Sequence, residues 1–359
     1  MREFCCSTRI VMGTGAVSVL KELGVQRLLL VTDPYFVKNG MAQQVLEAAG
    51  AAENRVFDRV EPDPTVALAA EGTALVKEFQ PDVLVALGGG SAMDCAKAMA
   101  YFSGGVRLVA IPTTSGSGSE VTDFAILTHG GVKHPLVDQR LRPELAILDD
   151  DFLKELPPGL VADTGFDVLT HALEALVAKN RTPMTDALAR DAFCTVFAQL
   201  PASFGGDRQV RLKLHGASTM AGMAFTQAGL GLCHAMAHSL GGLYHVPHGR
   251  LNAILLPAVI ECNASVCAGQ YARIAREAGL GGSADSIAVR NLRNGLIHLR
   301  KELKLPATLA QAGVEPGRIW RDTPAIVSAA LADPCCRTNP CEVADFMVRK
   351  ILDEVTGRG

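Results

Sequence analysis

Residues 231–249, "GLCHAMAHSLGGLYHVPHG", hold four of the chain's nine histidines in an otherwise apolar, glycine-rich stretch. His234 and His238 are four residues apart, so on a helix they share one face. The segment "DTGFDVLTHALEAL" at 163–176 repeats that spacing with Asp167 and His171. Two such pairs, with a further histidine in "VPHG", supply enough donors for one divalent cation. One carboxylate and three imidazoles suit Fe(II), Zn(II) or Mn(II) and leave a position open for a substrate. Any single histidine in such a stretch is by default a polar group satisfied by a hydrogen bond. An acid–histidine pair at helical spacing can also be a surface pair worth a few tenths of a kcal/mol. Spacing alone leaves open which four side chains bind.

A second kind of chemistry is suggested nearer the N-terminus. "PDVLVALGGGSAMD" at 81–94 reads as a buried strand running into a glycine turn that opens a helix. Such a turn brings backbone N–H groups close to a phosphate at a helix start. It lacks the G-x-G-x-x-G spacing, and Ser91 and Asp94 can equally be a helix cap and a first-turn acid. "IPTTSGSGSEVTDFAIL" at 111–127 follows another strand and offers Thr113 and Thr114 hydroxyls without bulk. Asp33 ends a third strand, where a carboxylate suits the ribose hydroxyls of NAD and repels the extra phosphate of NADP. Ligands in open α/β sheets bind at the carboxyl ends of strands, and all three segments are expected there.

The elements that must hold these residues divide into two textures. In the first 150 residues, short apolar runs at 26–33, 81–91, 106–114 and 144–150 alternate with helical stretches. Continuous apolar strands separated by helices predict a parallel sheet covered on both faces. After "LPPG" at 156–159 the chain becomes Ala/Leu-rich with helical spacing at 167–178, 184–200, 211–226, 270–278, 286–303 and 323–332. The domains expected are therefore an α/β domain over 1–156 and an all-helical domain over 157–359.

Composition excludes several classes. Of 359 residues, 34 are Lys or Arg and 37 Asp or Glu, so no basic excess exists to hold a nucleic acid. No apolar run reaches ~18 residues, and "AILLPAVIE" is short and interrupted by Pro257, so no membrane span is expected. The N-terminus has no signal-peptide pattern. Ten cysteines occur without a C-x-x-C pair, which reads as reduced thiols in a cytoplasmic protein.

Taken together and in order, "GGGSAMDCAKA", "IPTTSGSGSEVT", "KHPLVD", "LAILD", "LPPGLVADTGFDVLTHALEA", "GLCHAMAHSLGGLYHVPHG" and "NAILLP" resemble the iron-containing alcohol dehydrogenase family. Within it, "CSTRIVMGTGAVSVL" and "AALADPCCRTNP" are similar to microcompartment-associated 1-propanol dehydrogenases. The resemblance implies a Rossmann-like dinucleotide-binding domain followed by an all-α metal-binding domain, an architecture like that of dehydroquinate synthase. It implies Asp167, His171, His234 and His248 as metal ligands, and His238 as a proton-transfer residue near nicotinamide and substrate. It gives His245 no role. NAD(H) is implied to lie against Asp33, Gly89, Gly90, Ser91, Asp94, Thr113 and Thr114, with Lys133 reaching a ribose. The implied metal is Fe(II), with Zn(II) as the alternative. A short-chain alcohol or aldehyde is the implied substrate, and a homodimer or larger assembly, cytoplasmic or enclosed with other enzymes in a microcompartment shell, the implied setting. A polyol dehydrogenase or lactaldehyde reductase of the same superfamily is the runner-up. A metal hydrolase leaves the nucleotide loops unexplained, and a scaffold protein leaves the ligands unexplained. One departure concerns charge: "PDPT" at 62–65 stands where family members often have "PNPT", so Asp63 adds a negative charge beside the expected cofactor. "TTSGSGSE" replaces the commoner "TTAGTGSE", a mild change at Ser115 and Ser117.

Overall fold

The computed structural model describes residues 3–130 and 132–357. Residues 1–2 and 358–359, the outer ends of the two expected domains, lie outside them. The chain divides into two compact units, one spanning Cys5–Leu156 and the other built from Pro157 onward.

The first unit is built on a six-stranded, wholly parallel sheet. Its strands are β1 (Arg9–Met12), β2 (Arg27–Val31), β3 (Glu53–Phe57), β4 (Val83–Gly88), β5 (Arg107–Pro112) and β8 (Leu145–Leu148). A separate antiparallel hairpin pairs β6 (Phe124–His129) with β7 (Val132–Val137). The helices are α1 (Pro34–Lys38), α2 (Met41–Ala49), α3 (Val66–Phe79) and α4 (Gly90–Phe102). Alternate residues of each central strand point to opposite faces. Leu28, Leu30, Val83, Val85 and Leu87 pack with Ala42, Val45 and Ala49 of α2. Leu29, Val31, Leu84 and Ala86 pack with Val76 and Phe79 of α3 and Met93 and Met99 of α4. Both faces are buried, which is why these strands read as unbroken apolar runs.

The strand order is β1-β8-β5-β4-β2-β3. The chain moves outward from β2 to β3, then returns across the sheet to β4 and on to β5. The direction therefore reverses between β2 and β4. In open α/β sheets that switch point, at the carboxyl ends of the strands, is where a crevice forms for a ligand.

The second unit is helical: α5 (Pro158–Val177), α6 (Pro183–Phe204), α7 (Arg211–Ala228), α8 (Leu232–Tyr244), α9 (His248–Glu277), α10 (Asp285–Glu302), α11 (Pro316–Ala332), α12 (Cys335–Thr338) and α13 (Asp345–Thr356). Helix α5 is buried from Val161 to Val177 except at Thr164 and packs against α6, α7 and α9.

Helix α9 corrects one expectation. Pro257 does not interrupt the segment around it, because α9 continues through this proline and is kinked only farther on, at Cys267, where φ is −133° and ψ 26°. A proline removes a helix hydrogen bond and frees the carbonyl four residues earlier. Here that carbonyl belongs to Ala253, and the buried Arg300 guanidinium donates to it at 3.2 Å. By length and composition α9 passes as a membrane span, but 67% of its most apolar window is buried inside the protein. It is a core helix of this unit.

Candidate metal centre and nucleotide loops

In the first unit the predicted loops come together at the switch point. Strands β4 and β5 are in register up to Gly88 and Pro112, and the Thr113 N–H donates to the Gly88 carbonyl at 3.0 Å. A Cβ on Gly89 would stand 3.3 Å from Thr114 Oγ1, and one on Gly90 would stand 3.3 Å from Ser117 Cβ. Side chains at either glycine would crowd the second loop, so glycine here lets the two loops lie close together. Gly89 caps α4 without a side-chain hydrogen bond, so the first-turn N–H groups of α4 are not capped by a side chain. That arrangement suits a phosphate.

The other predicted cofactor residues have structural partners as well. Asp33 follows β2 and caps α1, accepting from the Tyr35 and Phe36 N–H groups at 2.9 and 3.4 Å. Asp94 accepts from Ser119 Oγ at 3.0 Å and the Ile126 N–H at 3.1 Å, tying α4 to the second loop and β6. Burial raises its carboxyl above the ordinary range, against the pull of Lys97. Lys97 itself is fully buried and donates to the Thr122 carbonyl and hydroxyl and to the Phe124 carbonyl at 2.8–3.0 Å. Burial brings its ammonium down to about 8. Lys133 pairs with Asp63 at 2.6 Å, so the two residues flagged separately by the sequence meet in one ion pair.

In the second unit, Asp167, His234 and His248 place their donor atoms within 4.8 Å of one another. Asp167 Oδ1 lies 3.5 Å from His248 Nε2, 3.6 Å from His234 Nε2 and 3.9 Å from His171 Nε2. A tetrahedral ion with bonds of ~2.1 Å needs its donors about 3.4 Å apart. Asp167 stands at nearly that spacing from His234 and His248, while His171, 3.9 Å from Asp167, is the outlying member of the four expected ligands and is not among the three that close on one another. The His171 ring is stacked between Phe225 and His234, with centroid distances of 4.3 and 4.6 Å.

Electrostatics favour a cation there. Burial opposes charge on His234, but the Asp167 and Glu174 carboxylates outweigh it and hold the ring up at about 9. Burial also opposes charge on Asp167, and the surrounding imidazoles hold its carboxyl well below the usual range. His248, dominated by burial, is pushed well below an ordinary histidine. A pocket that draws a proton onto a buried ring will also draw a metal cation in its place. The donor set, its spacing and its charge fit a divalent ion.

Three residues that support the site were not singled out in the sequence. Glu174 is buried on α5, three residues after His171 and seven after Asp167, on the same helical face. Its Oε2 accepts from His234 Nδ1 at 2.7 Å and from the Gly231 N–H at 2.9 Å, and its Oε1 accepts from the Cys233 N–H at 2.7 Å. The carboxylate thus caps α8 and sets the His234 tautomer, leaving Nε2 as the donor. Asn252, also fully buried, donates to Asp167 Oδ1 at 2.7 Å. Asp333, at the end of α11, accepts from His238 Nδ1 at 2.8 Å, and the His238 and His248 rings stack at 5.3 Å.

The glycine of "VPHG" is explained by a close approach. A Cβ at Gly249 would lie 1.9 Å from the Asp163 carbonyl oxygen, so only glycine lets the start of α9 pack against α5. Arg250 reinforces the contact with a bidentate pair to Asp163 at 2.9 and 3.1 Å. His245 is the left-handed C-cap of α8, with φ of 56°, and its N–H returns to the Gly241 carbonyl.

Comparison with known proteins follows the same two-part division. The family described as iron-containing alcohol dehydrogenase matches residues 7–150, and its C-terminal counterpart matches residues 161–356. The chain belongs to the iron-containing alcohol dehydrogenase family. Among relatives in that family, 1-propanol dehydrogenase PduQ of Salmonella typhimurium is 43% identical, over 99% of this chain and 100% of the relative. The PduQ protein of Citrobacter freundii is 40% identical over the same shares. An NADPH-dependent butanol dehydrogenase of Clostridium saccharobutylicum is 35% identical over 98% of this chain and 97% of its own length. An iron-containing alcohol dehydrogenase from Thermococcus thioreducens has a solved structure similar to this one. It is 33% identical, with a TM-score of 0.92 over 98% of this chain and 99% of that one. A structure described as 1,3-propanediol oxidoreductase is also 33% identical, with a TM-score of 0.93 over 99% and 100% of the two chains. As an iron-containing alcohol dehydrogenase, the chain is an oxidoreductase.

Proposed function

We propose that this dehydrogenase interconverts short-chain primary alcohols and aldehydes, with propanal and 1-propanol the leading pair, and uses NAD(H). The observation that carries the reading is the Asp167–His234–His248 cluster, with His171 3.9 Å from Asp167, beside the His238–Asp333 pair. Similarity to the PduQ proteins over the whole chain supports the substrate class. When bound, a divalent ion at the cluster supplies Lewis acidity to the substrate oxygen and NAD(H) supplies the hydride chemistry.

The chain's own residues do the rest. Asp167 stays ionised and brings negative charge to the ligand set. Glu174 holds His234 in the tautomer whose Nε2 faces the other donors. Gly249 allows His248 to reach Asp167. Asp333 accepts from His238 Nδ1, which leaves His238 Nε2 to take a proton from an alcohol or return one to an aldehyde oxygen. The glycine turn at Gly89–Ser91 and the hydroxyls of Thr113 and Thr114 hold the cofactor's phosphates, while Asp94 braces the two loops. Lys133, held by Asp63, faces the ribose. Asp33 accepts from ribose hydroxyls and opposes a 2′-phosphate, which favours NADH in a family that includes an NADPH-dependent relative. Fe(II) is the proposed ion, with Zn(II) the competing occupant of the same donor set. A homodimer or larger assembly, and enclosure in a bacterial microcompartment, complete the proposal.

The test is anaerobic NADH oxidation by iron-loaded protein, ranking propanal and ethanal against lactaldehyde, glycerol and propanediol. Preference for the simple aldehydes supports the reading. Preference for the hydroxylated substrates replaces it with the polyol or lactaldehyde alternative.

A further inference from the structure

A second group of donors adjoins the first and is not used by it. Asp333 ends α11, Cys335 begins α12, and both face His238 of α8. A ring nitrogen of His238, a carboxylate oxygen of Asp333 and the Cys335 sulfur lie within 4.8 Å of one another. His238 Nδ1 and Asp333 Oδ2 are already 2.8 Å apart. The Cys335 N–H donates to Asp333 Oδ1 at 2.8 Å, so the same carboxylate is fixed between the other two donors. All three residues are partly exposed, unlike the fully buried Cys233 beside the first cluster, so an ion can enter and keep a water molecule. One nitrogen, one oxygen and one sulfur donor make a set that borderline divalent cations such as zinc accept, and the water completes a tetrahedron.

We propose that His238, Asp333 and Cys335 form a second, inhibitory cation site of zinc type, distinct from the Asp167–His171–His234–His248 cluster. Binding forms a metal–sulfur bond and releases the thiol proton to solvent. It also replaces the His238–Asp333 hydrogen bond. With a cation on Nδ1, the ring proton must sit on Nε2, and that nitrogen can no longer accept a proton. Excess zinc would then stop turnover without displacing the resident ion. The inhibition rests on the proton-transfer role proposed for His238, whereas the site itself does not.

The test separates the two. Zinc-loaded protein, reduced and under anaerobic conditions, is titrated with cobalt(II). Only a thiolate ligand gives the intense near-ultraviolet sulfur-to-cobalt charge-transfer band, and none of the four residues of the first cluster has sulfur. The proposal expects that band at one further equivalent of metal per chain, its loss on adding zinc, and its absence in Cys335→Ser with resident zinc content unchanged. If Cys335→Ser does not fold, Cys335→Ala is titrated in the same way. A band that persists in either variant, or no band in the wild-type protein, overturns the site. If the band behaves as expected but added zinc leaves NADH turnover unaffected, the site stands and its inhibitory role is overturned.

Discussion

Replacing Glu174 by glutamine tests how the metal centre is oriented. The carboxylate accepts three hydrogen bonds, from His234 Nδ1, the Gly231 N–H and the Cys233 N–H. A glutamine offers one carbonyl oxygen and turns an NH2 group toward a donor. At least one of the three donors is then left buried without an acceptor, at a cost of about 1–3 kcal/mol. The charge-assisted bonds that remain become neutral and weaken by roughly half. His234 also loses the partner that fixes its tautomer, and loss of such a partner lowers metal affinity about 10–100-fold, or about 1.4–2.7 kcal/mol. The assay is competition for the bound metal against a chelator of known affinity, with thermal unfolding measured alongside. Asn339→Ala is the control, because Asn339 Oδ1 caps the same helix through the Leu232 N–H at 3.1 Å without touching His234. Both variants lose stability, and only Glu174→Gln loses affinity. If Glu174→Gln holds metal within about threefold of the wild type, Glu174 is a helix cap alone and the orienting argument is refuted.

The other predictions follow the same logic. Gly249→Ala forces α9 away from α5 at a cost of about 1–3 kcal/mol or more, so metal content and thermal stability fall together. His238→Ala keeps its metal and loses about 10²–10⁴ in kcat, while Asp333→Asn loses less, by steady-state kinetics with metal analysis. Burial raises the Asp333 carboxyl, and the hydrogen bond from His238 more than offsets this, leaving it at about 2 against an ordinary 3.8. A depressed carboxylate stabilises the fold above its unfolded value. The wild-type advantage over Asp333→Asn is therefore about 2 kcal/mol above pH ~4 and disappears as pH falls toward ~2, read by urea unfolding. Asp33→Ser keeps a cap on α1 and removes the charge, so fluorescence titration should show NADPH gaining about tenfold or more relative to NADH.

Much of the fold was legible because buried parallel strands leave continuous apolar runs. β2, β4, β5 and β8 were read in this way, and the helices by their periodicity. β3 was missed because four of its five residues are exposed and polar or edge-facing. β7 was missed because Pro135 lies inside it, opposite Ile126, a place that only an edge or an isolated hairpin tolerates. β1, four residues at the sheet edge, was too short to register. At the site, the i, i+4 pairs marked Asp167, His171, His234 and His238. Glu174 carried a weaker mark, its position on the face shared by Asp167 and His171. Asp333 carried none, because its partner His238 is 95 residues away and only the folded chain joins them.

The central claim is that Asp167, His171, His234 and His248 hold one divalent ion on which alcohol–aldehyde turnover depends. The most direct measurement strips the protein with a chelator, restores iron(II) anaerobically, and determines metal content and propanal-dependent NADH oxidation on the same samples. The account predicts one equivalent of iron per chain and activity that rises in proportion to it. Stripped protein that oxidises NADH with propanal as fast as the restored protein would contradict it.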